Sequence, residues 1–260
     1  MAESPVPADG ADGFALLLAA ARRDGRQVTP PTILPATAEE GYDIAEAVAG
    51  HLGWPRCGWK VAATTPEMQR RLRATEPTRG PIYAPLVQPS PALLPFASLV
   101  DPIIECEIVL RLGSALPPRP EPWTATEVQA AVAAAHGGIE VAECRFPMDA
   151  LPPMPAILAD GAGNGRYVLG PEIREADLEA LPVTLEVDGA VRRSGTGAEA
   201  MGHPFHVLLW LAEALRRRGQ GLAAGDLVSS GTCTGMLRPA AGQRLRARFG
   251  TGCEVVLDLR

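Results

Sequence analysis

The sequence predicts an α+β protein, with an N-terminal helical segment over residues 1–55 and a larger domain, rich in β-structure, over residues 56–260. Three observations predict it. Helical periodicity and capping signals crowd the first fifty residues. The Asp188-Gly189 pair between two alternating runs is the strongest hairpin signal in the chain, and three more strand-like runs close the sequence. Between them lies Asp101–Gly113, DPIIECEIVLRLG, an apolar β-rich run carrying two acids. At 260 residues, 47% of them apolar, the chain can bury one sizeable core with a smaller appendage.

Residues 1–10, with two prolines and small polar residues, read as a tail. A first helix spans about residues 11–25 and stops near Gly25. After Pro30, Pro31 and Pro35, Thr37 and Glu40 form a capping box for a second helix reaching Gly53. Nothing in this pair of helices points to chemistry. CGWKVAA, from Cys57, reads as a short strand. Thr65-Pro66 then opens a helix through Arg73. Residues 76–98 are proline-dotted and read as a long irregular wall or lid. After the Asp101–Gly113 strand, Thr124 and Glu127 cap a helix expected to run through His136 and to end at Gly137-Gly138, with the Glu140 strand beyond. A second long loop covers 146–165, followed by a strand at Arg166–Leu169. The hairpin pairs Pro182–Val187 with Ala190–Arg193. An amphipathic helix at Pro204–Arg218 and strands at Asp226–Ser230, Arg244–Phe249 and Glu254–Leu259 complete the chain.

A net charge of −6 without a basic cluster excludes nucleic acid and anionic membranes as partners. Five scattered cysteines with no CxxC pair fit reduced thiols of a cytoplasmic protein. FALLLAAA at Phe14–Ala21 has acidic residues before it and basic ones after it, the reverse of a signal peptide. Lys60 is the only lysine among 24 basic residues. A lysine's pKa responds to burial and neighbouring charge, as arginine's does not.

Alternation puts Glu105 and Glu107 on one face of their strand, about 6.6–6.8 Å apart along the backbone, with Cys106 turned into the core. Two carboxylates side by side on a buried face repel and lose solvation, and a hard divalent cation offsets both costs. Glu140 of GGIEVAE would make a third ligand. The competing reading puts the pair on the solvated face of an edge strand. Lys60, between Trp59 and Val61, is either a general acid/base near such a cage or a lysine whose stem packs on the sheet. Asp160 in ADGAGNG suits an Asx turn. Arg145 can pair with Glu143 or meet a substrate carboxylate. The amides and hydroxyl of Ser230-Gly231-Thr232, at a strand end, can hold a carboxylate or form an ordinary turn. No GxGxxG phosphate loop and no GxSxG elbow is present, and His203 and His206 lack a third ligand.

Seven stretches in order, GWKV, EPTRG, ECEIVLRLG, IEVAECRF, LADGAGNGRYVLG, GTGAEAMGHP and GDLVSSGTCTG, resemble the 2-keto-4-pentenoate hydratase family of the fumarylacetoacetate hydrolase superfamily. The resemblance implies a mixed β-sandwich-like roll behind the helical segment, assembled as a homo-oligomer, a dimer or larger. It also implies a Mg2+ or Mn2+ site at Glu105, Glu107 and Glu140, with Lys60 as the active-site lysine. Asp160 would be a second catalytic group, and Arg145, Gly231 and Thr232 would meet the substrate, a small 2-oxo acid. The implied activity is a hydro-lyase adding water to a short 2-hydroxydienoic or 2-oxo-enoic acid in aromatic-compound catabolism. Its alternatives are a 4-oxalocrotonate-like 2-oxo-dicarboxylate decarboxylase and a diverged partner subunit. Thr78 stands where several hydratases carry an acid. Gly161 and Gly163 replace the Asn and Ser of the usual ADNAS stretch.

Overall fold

Alternation along one long strand organises the molecule, seen here in a computed structural model that describes residues 10–260. On β5 (Ile103–Leu112), Cys106, Ile108 and Leu110 are buried towards the main core, and Glu105 and Glu107 point to the opposite face. Strand β5 is central in a seven-stranded sheet. Its neighbours are β10 (Leu227–Thr232) and β6 (Val132–Ala142), both antiparallel. Beyond β10 lie β1 (Arg56–Ala62), parallel to it, and β2 (Thr78–Tyr83). Beyond β6 lie β7 (Arg166–Glu172) and β3 (Val87–Pro89).

A second, five-stranded sheet runs in the order β4 (Ala92–Leu94), β12 (Cys253–Leu259), β11 (Arg244–Phe249), β8 (Pro182–Val187), β9 (Ala190–Thr196). Val183, Leu185, Leu245, Ala247, Val255 and Leu257 from this sheet meet Ile108, Leu110, Ile139 and Val141 from the first in one buried cluster. Each valine, leucine and isoleucine among them contributes about 1.5–3 kcal/mol on burial. Helix α6 (Pro204–Arg217) seals one side of that cluster with Val207, Leu208, Leu211 and Leu215.

The two N-terminal helices form as expected. Helix α1 (Ala11–Asp24) ends on Gly25, in the left-handed conformation that a side chain disfavours. Helix α2 (Ala38–Leu52) is capped by the Thr37 hydroxyl, which accepts from the Glu40 amide, while the Glu40 carboxylate turns to the Ala36 amide. Their apolar stripes, Phe14, Leu18, Ile44 and Val48 among them, pack with Tyr83, Phe146, Ala156 and Ala159 from later in the chain. Helical segment and β-rich segment thus share a second core. The tail expected over 1–10 lies, except for Gly10, outside the described residues.

The sequence reading needs correction at three places. The helix opened by Thr124 has its full capping box, yet α4 is only Ala125–Ala130. Residues 132–142, His136 and both glycines included, are strand β6, which pairs with β5 along its whole length. Gly137 is there because the two sheets approach closely: a Cβ on it would lie 2.5 Å from the Phe249 ring. The stretch 76–98 contains β2, β3 and β4, and the 146–165 loop contains α5 (Met154–Ala159). Among the described residues no helix is long and apolar enough to cross a membrane.

Candidate active site

The face of the large sheet turned away from the main core carries the charged residues. Register does the assembling: Lys60 on β1 lies opposite Ser229 on β10, Ser229 opposite Val109 on β5, and Glu105 opposite Glu140 on β6. Partners opposite one another share a face, so four strands deliver Lys60, Ser229, Glu105, Glu107 and Glu140 to one side. One oxygen from each of the three glutamates lies within 4.8 Å of the others. Glu107 is 1% and Glu140 0% exposed, and Glu105 is half-buried.

Lys60 is 3% exposed. Its Nζ lies 3.3 Å from Glu140 Oε1 and donates to the Ala162 carbonyl at 3.1 Å. Burial alone would lower the lysine pKa, but Glu140, Glu105 and Glu107 together raise it, so the ammonium stays charged at neutral pH. The same crowding acts on the acids. Burial, and then Glu140, pushes Glu105 up to about 7; burial and the two other carboxylates push Glu107 well above its ordinary value.

The donors around the cluster are unevenly spread. Glu107 accepts from the Ser229 hydroxyl and from the Gly231 amide at 3.2 Å. Glu140, fully buried, has only the Lys60 ammonium facing it, 3.3 Å from Oε1, and no well-aligned hydrogen bond at either oxygen. One ammonium does not offset three buried carboxylates, and a further cation would. Three oxygen ligands, one from each glutamate, fit a hard divalent ion. Tyr167, opposite Glu140 on β7, is 3% exposed and its hydroxyl also lacks a partner. The sequence reading missed it, although alternation along RYVLG beside the Glu140 strand was its available signal.

A cavity of about 370 Å3 opens onto this cluster, lined by Lys60, Glu105 and Glu107 together with Ala162, Gly231 and Thr232. Met68, Leu72, Met148 and Met236 form apolar wall further out, and Arg71 on α3 (Pro66–Leu72) lines the same space. The volume is within the range of small-molecule sites.

Four expected site residues have partners within the protein. Asp160 is 1% exposed and bound by two arginines: Arg22 Nη2 at 3.1 Å and Arg145 Nε at 3.0 Å from Oδ1. Arg145, 2% exposed, spends its guanidinium on Asp160, the Glu143 carbonyl and the Asn164 carbonyl. Neither lines the cavity, because each satisfies the other's buried charge. The Gly231 amide, expected to hold a substrate carboxylate, holds that of Glu107, and the Thr232 hydroxyl donates to Gly235 O at 3.1 Å. Arg22, from a helix that showed no chemistry in sequence, is the unexpected member. Its signal was there: an arginine at the 14, 18, 22 spacing of an apolar stripe.

The match to the family described as fumarylacetoacetate (FAA) hydrolase C-terminal covers residues 78–257. A 2-keto-4-pentenoate hydratase of Burkholderia vietnamiensis is 34% identical over 177 residues, 67% of this chain and 66% of that protein. The 2-keto-4-pentenoate hydratase 2 of Dechloromonas aromatica is 28% identical over 242 residues, 90% of this chain and 91% of its own length. Among solved structures, 4-oxalocrotonate decarboxylase from Pseudomonas putida G7, complexed with magnesium and adipate, superposes with a TM-score of 0.87 at 22% identity, covering 98% of this chain and 99% of that one. A family match over most of the length, on a fold shared end to end with a solved relative, means that this chain belongs to the fumarylacetoacetate hydrolase family.

Proposed function

We propose that the protein is a metal-dependent hydro-lyase that adds water to a short 2-hydroxydienoic or 2-oxo-enoic acid. The observation that carries this reading is the cluster itself: three carboxylates converging at a cavity beside one buried lysine, the single ammonium that faces them. Glu105, Glu107 and Glu140 would hold Mg2+ or Mn2+, which would supply positive charge to stabilise an enolate of the bound acid. The named hydratases among the relatives support the substrate class.

The chain's own residues then do the following. The Lys60 ammonium, kept charged by three acids, is the proton donor at the cavity floor and ketonises the dienol, after which water adds across the conjugated double bond. Ser229 and the Gly231 amide hold Glu107 in place. The apolar wall of Met68, Leu72, Met148 and Met236 excludes bulk water from the carbon chain. A homo-oligomer in the cytoplasm completes the reading; five unpaired cysteines support the compartment, and light scattering tests the assembly.

Arg71 favours a second reading. A cation on the cavity wall suits a distal carboxylate, hence a 2-oxo dicarboxylate that loses CO2. The test is to mix purified protein with 2-hydroxypenta-2,4-dienoate and Mg2+ or Mn2+ and follow ultraviolet absorbance with and without EDTA. Metal-dependent decay faster than spontaneous ketonisation, yielding the hydrated acid, supports the hydratase. Decay only with 2-hydroxymuconate, with CO2 released, would replace it with the decarboxylase. No turnover of either by folded, metal-loaded protein would refute both.

A further inference from the structure

Lys60 Nζ has two partners in the protein, and one of them is a backbone carbonyl in an unusual place. Ala162 is the middle of three successive residues in the left-handed region: Gly161 at φ 75°, Ala162 at 56° and Gly163 at 69°. Glycine enters that region freely, and alanine does not. A turn of this kind holds one shape only if its surroundings hold it.

Arg22 does the holding, from the far end of the sequence. Its Nη2 donates to the Asp160 carbonyl at 2.8 Å, to Asp160 Oδ1 at 3.1 Å and to Asn164 Oδ1 at 2.6 Å; its Nη1 donates to the Asn164 carbonyl at 3.1 Å. Both ends of the 160–164 turn are therefore pinned by one guanidinium, whose side chain is 3% exposed. Asp160 is pinned in turn: its Oδ2 accepts from the Arg145 amide at 2.9 Å and its Oδ1 from Arg145 Nε at 3.0 Å. None of these groups lines the cavity, yet the turn they fix presents the Ala162 oxygen to the lysine.

We propose that Arg22 and Asp160 are positioning residues for Lys60, so that the N-terminal helix α1 sets the direction of the lysine's proton through the 160–164 turn. An ammonium has three N–H groups. Ala162 O takes one and the Glu140 carboxylate faces another, which leaves the third for the cavity that Lys60 lines. If the turn relaxes, the ammonium stays beside Glu140 but loses the carbonyl that orients it, and its third N–H no longer points into the cavity. The metal ligands stand on β5 and β6, outside the turn, and are unaffected. The proposal rests on Lys60 being the proton donor.

The test uses the full chain loaded with Mn2+ and the dienol assay, comparing Arg22→Lys, Arg22→Gln and Asp160→Asn with Lys60→Met. Displacing a reacting group by about an ångström costs on the order of 100-fold. The expected result is kcat lowered about 10–100-fold in Arg22→Gln and Asp160→Asn, with KM within about threefold of the parent, the pattern of an interaction used in the transition state. Arg22→Lys recovers part of the loss, and Mn2+ affinity by titration calorimetry stays at the parent value in all three. Parent-level kcat in folded Arg22 and Asp160 variants, with Lys60→Met inactive, would overturn the positioning role alone. Full turnover by Lys60→Met would overturn the reading of Lys60 and the proposal with it. A loss of Mn2+ affinity parallel to kcat, or unfolding of both Arg22→Lys and Asp160→Asn at the assay temperature, would make the network a structural staple and end the proposal.

Discussion

Replacing Lys60 with methionine separates the lysine's electrostatic role from its chemical one. In the metal-free protein, Lys60 is the cation that lowers the cost of the buried carboxylates: its charge acts on Glu105 and Glu107, and its Nζ lies 3.3 Å from Glu140. Methionine keeps the length and removes the charge. Breaking a buried pair by removing one partner costs roughly 3–5 kcal/mol; the carboxyls already pushed up by burial absorb part of that, so the expected loss is about 3 kcal/mol. For a chain of this size the metal-free Tm falls by about 6–12 °C. With saturating Mn2+ a divalent charge meets the same carboxylates, and the loss shrinks to below about 1 kcal/mol. The difference of about 2 kcal/mol is a coupling energy, and by reciprocity Mn2+ binds Lys60→Met about 30-fold more tightly than the parent. Turnover nevertheless falls by about 100- to 10,000-fold, the usual contribution of a positioned acid or base. Thermal melts with EDTA and with Mn2+, together with calorimetry, check each part. Equal destabilisation with and without metal, or weaker Mn2+ binding, would refute the shared electrostatic field of lysine and cage.

Ser229→Ala removes the hydroxyl that donates to Glu107, and Mn2+ affinity falls about 10-fold, as for other partners that orient a metal ligand, measured by calorimetry. Gly80→Ala puts a Cβ against the Gly161 carbonyl oxygen, which backbone cannot evade; denaturant titration shows a loss of about 1–3 kcal/mol, and turnover drops because the turn facing Lys60 is displaced. Burial pushes the Cys106 and Cys144 thiols up to about 12, so at pH 8 in the native state they label slowly with a disulfide reagent, half-buried Cys57 reacts first, and all five react on unfolding.

Much of the site was legible in the linear chain wherever the governing interaction is local. A spacing of two put Glu105 and Glu107 on one face and Cys106 on the other because strand alternation needs no knowledge of the neighbours. The caps at Thr37, Thr65 and Thr124 and the Asp188-Gly189 hairpin are equally local, and each formed. Lys60 stood out by being alone of its kind. Register was not legible. Glu140 meets Glu105 because β6 pairs with β5, and Lys60 reaches the same face through β10, whose sequence lies more than 160 residues later. Gly137 and Gly138 look like a helix stop until the second sheet packs against Gly137 and Val109 of β5 against Gly138. Asp160 and Arg145 look like site residues until each is seen neutralising the other, and Arg22 looks like helix surface until it reaches the 160–164 turn from 138 residues away. Side-chain periods and caps are decided within a few residues. The partner of a buried charge is decided by which strands and helices come together, and only packing across the whole chain brings Arg22, Asp160 and Lys60 into one line.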